Sequence, residues 1–176
     1  FDKDFMKYRG IQLKGKTAGI IGLGNIGSAI AEACEGLGMN VIYWSKSSVN
    51  NAYSKVSLEQ LMSSADVIFP TVVKNTETLA LIADDHINSM KKTAIVVDIA
   101  HGIFNRHKAL AMVANGDLFG YGFEGEPHEF AKFEGNVWAA PAYAWTTDES
   151  MHNSVAFWVD NMVNAKNNQF PTRINK

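Results

Sequence analysis

The sequence predicts an α/β chain built on a doubly wound parallel sheet. Three observations carry that expectation. Apolar runs of strand length alternate with helical patterns along the chain. Those runs are apolar at successive positions rather than at alternate ones, as strands covered by helices on both faces require. The first run also passes into the first helical pattern through a glycine-rich turn, "AGIIGLGNIGSAIAEA" over 18–33.

The elements follow in order. "TAGIIGL" (17–23) reads as a buried strand. "NIGSAIAEACEGLG" (25–38) reads as a helix with Ile26, Ile30, Cys34 and Leu37 on one face. "NVIYWS" (40–45) is a second strand. "SLEQLMSSA" (57–65) is a short helix with Ser57 as N-cap. "DVIFPTVV" (66–73) is a third strand running into a loop around Pro70. A short helix (84–90) and a fourth strand, "TAIVVDIA" (93–100), come next. "RHKALAMVANG" (106–116) is a helix closed by Gly116. Fifth and sixth strands cover 118–123 and 136–141, and the stretch between them, 124–136, reads as a loop over the carboxyl edge. A long amphipathic helix over about 147–166 carries Met151, Val155, Trp158, Val159 and Met162 at helical spacing, which reads most simply as core packing.

Composition narrows the class. The 176 residues are 47% hydrophobic and 11% aromatic, enough for a sizeable core. A net charge of −2 with scattered lysines and arginines gives no sign of a nucleic-acid or anionic-membrane partner. Cys34 is the sole cysteine, so no internal disulfide forms and a reducing, cytoplasmic setting is expected. No apolar run approaches the roughly 18 residues of a membrane span. The start, "FDKDFMKYRG", lacks a signal-peptide core and an initiator Met, which points to a fragment or a processed product.

The glycine turn carries the functional expectation. Gly22, Gly24 and Gly27 follow a strand and open a helix, the context that gives Gly-x-Gly-x-x-Gly its meaning. Gly22 permits the tight turn, Gly24 lets backbone approach a pyrophosphate, and Gly27 lets helix and strand pack closely. Amides near Asn25 and Ile26 would face the phosphate oxygens. This is a Rossmann-type dinucleotide site by expectation. Dinucleotide folds of the NAD type place an Asp or Glu at the end of the second strand, about 20 residues on, to accept from the ribose 2′-OH. Here Ser45, Lys46 and Ser47 stand there. A lysine with hydroxyls suits a 2′-phosphate, so NADP(H) is favoured and NAD(H) is the alternative.

Over about residues 13–165 the chain resembles the cofactor-binding domain of the D-isomer-specific 2-hydroxyacid dehydrogenases. "LKGKTAGIIGLGNIGSAIAEACEGLGMNVIYWSKS", "SLEQLMSSADVIF", "ETLALIADDHINSMKKTAIVVDIAHG" and "GNVWAAPAYAW" match that family's blocks in order. The Ser-Lys-Ser ending is similar to NADP-preferring glyoxylate or hydroxypyruvate reductases. The resemblance implies hydride transfer between a nicotinamide and a 2-keto or 2-hydroxy acid. It also implies Ile99, Ala100 and His101 beside the nicotinamide, Val72 and Val73 on the adenine side, and a homodimer.

The family's catalytic positions are only partly kept. The substrate-gripping Arg belongs in a Thr-Ala-Arg-Gly segment, where this chain has "DIAHG" and therefore His101. The Glu that tunes the acid/base belongs just before a Pro, which matches Glu126 before Pro127, and Glu124 matches the place of the family's nicotinamide-amide Asp. The acid/base His belongs in Thr-Pro-His-Ile-Ala, where "APAYAW" places Ala142. His101, His128 and His152 are the available substitutes.

The expected organisation is an N-terminal segment (1–12), a dinucleotide-binding domain (13–146) and a C-terminal helix and tail (147–176). The family's substrate lobe is largely absent. Two functions of different class follow: the NADP(H)-binding portion of a 2-hydroxyacid oxidoreductase, or a catalytically silent nucleotide-binding or dimerisation module. A methyltransferase-like binder is disfavoured by the order of the later blocks.

Overall fold

A computed structural model describes residues 10–79, 81–126, 132–143, 145–167 and 169. The elements are β1 (Thr17–Ile21), α1 (Asn25–Gly36), β2 (Asn40–Trp44), β3 (Ser54–Lys55), α2 (Leu58–Ser64), β4 (Val67–Pro70), α3 (Asp84–Asn88), β5 (Ile95–Asp98), α4 (Arg106–Asn115), β6 (Gly120–Gly125), β7 (Val137–Pro141) and α5 (Asp148–Lys166). The strands form one seven-stranded sheet in the order β3-β2-β1-β4-β5-β6-β7. From β3 to β6 every neighbouring pair is parallel. The chain starts in the middle of the sheet, builds outward through β2 and β3, then crosses β1 to continue at β4. The crossover puts a switch in strand order between β2 and β4, beside the carboxyl end of β1. The doubly wound expectation holds, with β3 as a two-residue strand too short to leave a pattern in the sequence.

Helices cover both faces, and β1 shows how. Ala18 and Ile20 are fully buried in clusters with Ala31, Cys34 and Met39, on the α1 side. Ile21 points the other way, into the large cluster with Leu58, Leu61, Met62, Ile68, Val96 and Phe123. Gly19 shares that second face, where an added Cβ would stand 2.8 Å from Ala65 Cβ, so α2 lies close against β1. This two-sided burial is the physical reason that the strands read as continuous apolar runs.

Several expected boundaries shift. β1 stops at Ile21, because Gly22 takes φ +98° and turns the chain out of the sheet. β4 stops at Pro70: Thr71 N makes a last bond to the Ile21 carbonyl, and Thr71 Oγ1 bonds the Ile21 and Gly22 carbonyls. β5 starts late, since Ala94 closes a turn onto the Lys91 carbonyl, and it ends at Asp98. β6 begins at Gly120, because Leu118 still bonds to Met112 of α4, and it extends to Gly125, into the expected loop. On α1 the buried face is Gly27, Ala31 and Cys34 with Ile30 beside it, while Ile26 and Leu37 are exposed. The small residues, not the largest ones, face the strand because the helix sits close to it.

Local caps fall where the sequence places them. Ser57 accepts from Gln60 N, and Gly116 closes α4 in the left-handed region at φ +75°. The chain divides into two compact units, Phe1–Ala140 and Pro141–Lys176. Within the second, α5 is capped by Thr147 and has no buried residue. The core-packing expectation for Met151, Trp158 and Met162 is thus corrected: all three are exposed, and Trp145, Met151, Ser154, Val155 and Trp158 line an apolar hollow.

Asp66 ties the start of the sheet together. Its carboxylate accepts from Thr17 N at 2.8 Å and from Lys91 Nζ at 2.9 Å. Partial burial raises its pKa, but the Thr17 amide and the Lys91 and Lys16 charges outweigh this and hold it below 3.8. A depressed carboxylate pKa gives stability that is present above the unfolded value and lost as pH falls through the folded one. Asp66→Asn is therefore expected to cost about 1–2 kcal/mol in urea unfolding at pH 7. The gap to the unmodified protein should narrow as pH drops below about 4.

Candidate functional site

The turn between β1 and α1 is held from both neighbouring strands. Gly22 N donates to the Trp44 carbonyl at the end of β2, at 2.8 Å. From the β4 side, Thr71 Oγ1 donates to the carbonyls of Ile21 (3.1 Å) and Gly22 (2.5 Å). The three glycines divide into two kinds. Gly22 is fixed by its positive φ, and an added Cβ would meet Val72 Cγ1 at 2.7 Å. At Gly27 a Cβ would collide with the Gly22 carbonyl oxygen and come within 2.8 Å of Thr71 Oγ1. Gly24 is different: it is exposed, its φ is −87°, and a Cβ there would meet nothing within 4 Å. Neither backbone strain nor packing inside the chain demands glycine at that position. Glycine there leaves the backbone in front of the helix open.

The helix start itself is bare. Gly24 supplies no side-chain cap to α1, and its first turn holds no acidic residue. In α2, α4 and α5 the side chains of Ser57, Asn105 and Thr147 each accept from a first-turn amide. Among the described residues, the amides of Asn25, Ile26 and Gly27 have no acceptor. Unpaired amides and the positive end of the helix dipole together favour an anion.

In front of this turn lies a cleft of 430 Å³ between the loops that follow β2 and β4. Gly22 and Gly24 form its floor, Ser45, Lys46 and Ser47 one side, and Val72 and Val73 the other. These are seven of the residues singled out from the sequence, gathered at one place. Ser45 is buried, and its Oγ accepts from Ser48 N at 3.1 Å, which shapes the loop that presents Lys46 and Ser47. Lys46 Nζ donates to Glu77 Oε2 at 2.6 Å, and both side chains are largely exposed. The Lys46 ammonium holds the Glu77 carboxyl below the usual carboxylate range. Sequence reasoning missed Glu77, along with Thr71, Asn75 and Thr78, which also line the cleft. Its one local signal is "NTET": Asn75 Oδ1 accepts from the amides of Glu77 and Thr78, and Thr78 Oγ1 donates to the Val73 carbonyl at 2.6 Å.

Ile99, Ala100 and His101 lie outside that cleft, just beyond β5. Asp98, almost fully buried, builds their turn by accepting from Tyr121 Oη at 2.7 Å and from Ala100 N at 3.2 Å. Burial, then the Asp98 charge, pushes the Tyr121 phenol strongly upward, so it stays protonated as the donor. His101 Nε2 comes within 3.9 Å of Glu124 Oε2 on β6. Arg106 steadies that strand end: its guanidinium lies 4.2 Å from the Phe123 ring centre and Nη2 donates to the Glu124 carbonyl. A Cβ on Gly102 would stand 3.1 Å from Lys74 Nζ, so a lysine ammonium sits beside the residue that follows His101. Glu126 follows β6 directly, and His128 and Pro127 lie outside the described residues. His152 is exposed on α5, and Ala142 contributes only its carbonyl, to Trp145 Nε1 at 3.1 Å.

A doubly wound sheet with this glycine turn at its switch point defines a dinucleotide-binding domain. The description "D-isomer specific 2-hydroxyacid dehydrogenase, NAD binding domain" matches residues 2–147, and the chain belongs to that family. It is 33% identical over 182 residues to a glyoxylate reductase of Thermococcus kodakarensis, covering 96% of this chain and 54% of that protein. The chain spans about half the length of the curated relatives it matches most fully. Among solved structures, an acyclic imino acid reductase in complex with NADPH and D-Arg superposes with a TM-score of 0.89 at 20% identity, over 99% of this chain and 59% of that one. The NAD-complexed D-isomer specific 2-hydroxyacid dehydrogenase of Lactobacillus delbrueckii ssp. bulgaricus gives 0.83 at 19%, over 96% and 59%. These likenesses show the fold.

The division among the glycines is directly measurable. Gly22→Ala and Gly27→Ala are each expected to lose about 1–3 kcal/mol in urea unfolding, because strain or overpacking must be relieved. Gly24→Ala should lose no more than about 1 kcal/mol, the difference between alanine and glycine at an N-cap.

Proposed function

We propose that the chain binds NADP(H) in preference to NAD(H), as the coenzyme-binding part of an oxidoreductase acting on 2-keto or 2-hydroxy acids. The observation that carries the reading is the open backbone at Gly24 in front of an uncapped helix start. The residues present fit the group. The amides of Asn25, Ile26 and Gly27 would hold the pyrophosphate, Ser45, Lys46 and Ser47 the 2′-phosphate, and Val72 and Val73 one side of the adenine. Ile99, Ala100, His101 and Glu124, at the carboxyl ends of β5 and β6, would border the nicotinamide.

A nicotinamide held there would supply hydride chemistry at the keto or hydroxyl carbon. His101 is placed to donate a proton to the substrate oxygen, or to withdraw it in the reverse direction. Glu124 Oε2 lies 3.9 Å from His101 Nε2, across the gap between the ends of β5 and β6. His101 takes the place of an Arg in the family pattern and lacks the fixed planar fork for a carboxylate. Lys74, with no bond to any described residue, offers the substrate carboxylate its cation. Glu126 remains the family-matched partner for an acid/base, since it precedes Pro127.

One observation favours the silent-module reading. Ala142 stands where the family pattern has its histidine, and a positioned general acid contributes about 10²–10⁴-fold. Coenzyme binding without NADPH oxidation in the presence of glyoxylate or hydroxypyruvate supports that reading, or a coenzyme-binding portion without its substrate lobe. Turnover that falls at least tenfold in His101→Ala overturns it.

The coenzyme assignment is tested by calorimetry with NADPH and NADH. Lys46→Glu is expected to weaken NADPH binding about tenfold or more, by loss of a charge-assisted bond, and to weaken NADH binding far less. Equal loss for both coenzymes would overturn the 2′-phosphate assignment.

A further inference from the structure

Among the described residues, Lys46 and Glu77 are the only charged side chains that line the cleft, and they are bonded to each other. They come from opposite walls: Lys46 from the loop after β2, Glu77 from the loop after β4, 31 residues apart in the chain. A carboxylate oxygen 2.6 Å from the ammonium occupies the position that a phosphate oxygen on Lys46 would take. We infer that Glu77 reduces the preference of this domain for a 2′-phosphorylated coenzyme by competing with that phosphate for Lys46. This rests on the proposal that Lys46 meets the 2′-phosphate.

The backbone under Glu77 is fixed, which limits how the competition resolves. Asn75 Oδ1 holds the amides of Glu77 and Thr78, and Thr78 Oγ1 holds the Val73 carbonyl. The competition is therefore settled by the two exposed side chains, Glu77 and Lys46, and not by movement of this loop. A 2′-phosphate within bonding distance of Lys46 meets a like charge a few ångströms away, and Glu77 must leave the ammonium to let it in. A coenzyme with a 2′-hydroxyl carries no such charge. The pair can stay closed over it, with the carboxylate as a hydrogen-bond acceptor, the part an acidic residue at the end of the second strand otherwise plays. Glu77 thereby narrows the margin that Lys46 creates. Because the pair is exposed, the narrowing is modest, about two- to fivefold.

The experiment measures dissociation constants for NADPH and NADH by calorimetry at low ionic strength, for the unmodified chain, Glu77→Gln, Lys46→Met and the double variant. The expected result is that Glu77→Gln raises the NADPH-to-NADH affinity ratio two- to fivefold. In the Lys46→Met background the same change should move the ratio by clearly less, because the contested cation is gone. The inference is overturned if Glu77→Gln leaves the ratio unchanged or lowers it. It is also overturned if the full gain persists without Lys46, which would make Glu77 a general repulsive charge. Absence of heat with either coenzyme for the unmodified chain would overturn the coenzyme proposal as well, so the two failures are distinguishable.

Discussion

The contact between Gly27 and the Gly22 carbonyl is the constraint on which the rest depends. With no Cβ at position 27, α1 comes down onto the end of β1 more closely than any other residue would permit. That approach sets the start of the helix directly behind Gly22 and Gly24, which line the cleft. Trp44 and Thr71 then fix the turn from the two flanking strands. Once the turn is set, the loops after β2 and β4 have nowhere to lie except on either side of it. The cleft is thus a product of strand order and one close approach, and its walls come from segments distant in the chain.

The charges are arranged at the two ends of this carboxyl edge, and each end pairs an acid with a base. Lys46 and Glu77 face each other at one end, His101 and Glu124 at the other. Neither arrangement is reflected in the net charge of −2, which averages over them. Beneath the second pair, Asp98 is buried but compensated by the Tyr121 hydroxyl and the Ala100 amide. Such a carboxylate is costly to bury and earns its place only if fully bonded, which ties the position of His101 to a satisfied network rather than to a free loop.

The glycine turn was legible in the sequence because its spacing is local and its meaning comes from the strand before it and the helix after it. Ser57 and Gly116 were legible for the same reason: capping is decided within a few residues. Strand ends were not, because turns and bonds made outside the strand decide them: the Gly22 turn for β1, backbone bonds for the starts of β5 and β6, and the Asp98 carboxylate for the turn after β5. The face of α1 was misjudged at Ile26 and Leu37, since hydrophobicity selected large residues where closeness selected small ones. Along α5 the periodicity was right, but burial depends on what lies against a helix, and periodicity is silent on that. Glu77 could not be linked to Lys46 at all, because their meeting is created by the crossover from β3 to β4.

The two-residue strand β3 has a consequence for association. A sheet edge with a long row of unpaired amides and carbonyls is a template onto which another chain can add. Here the edge strand is only Ser54–Lys55, both exposed, and Lys55 reaches back to the Ser48 carbonyl. So brief a border, tipped with a cation, gives a foreign strand too little length to zip onto. Growth of the sheet by strand addition is therefore disfavoured on this flank.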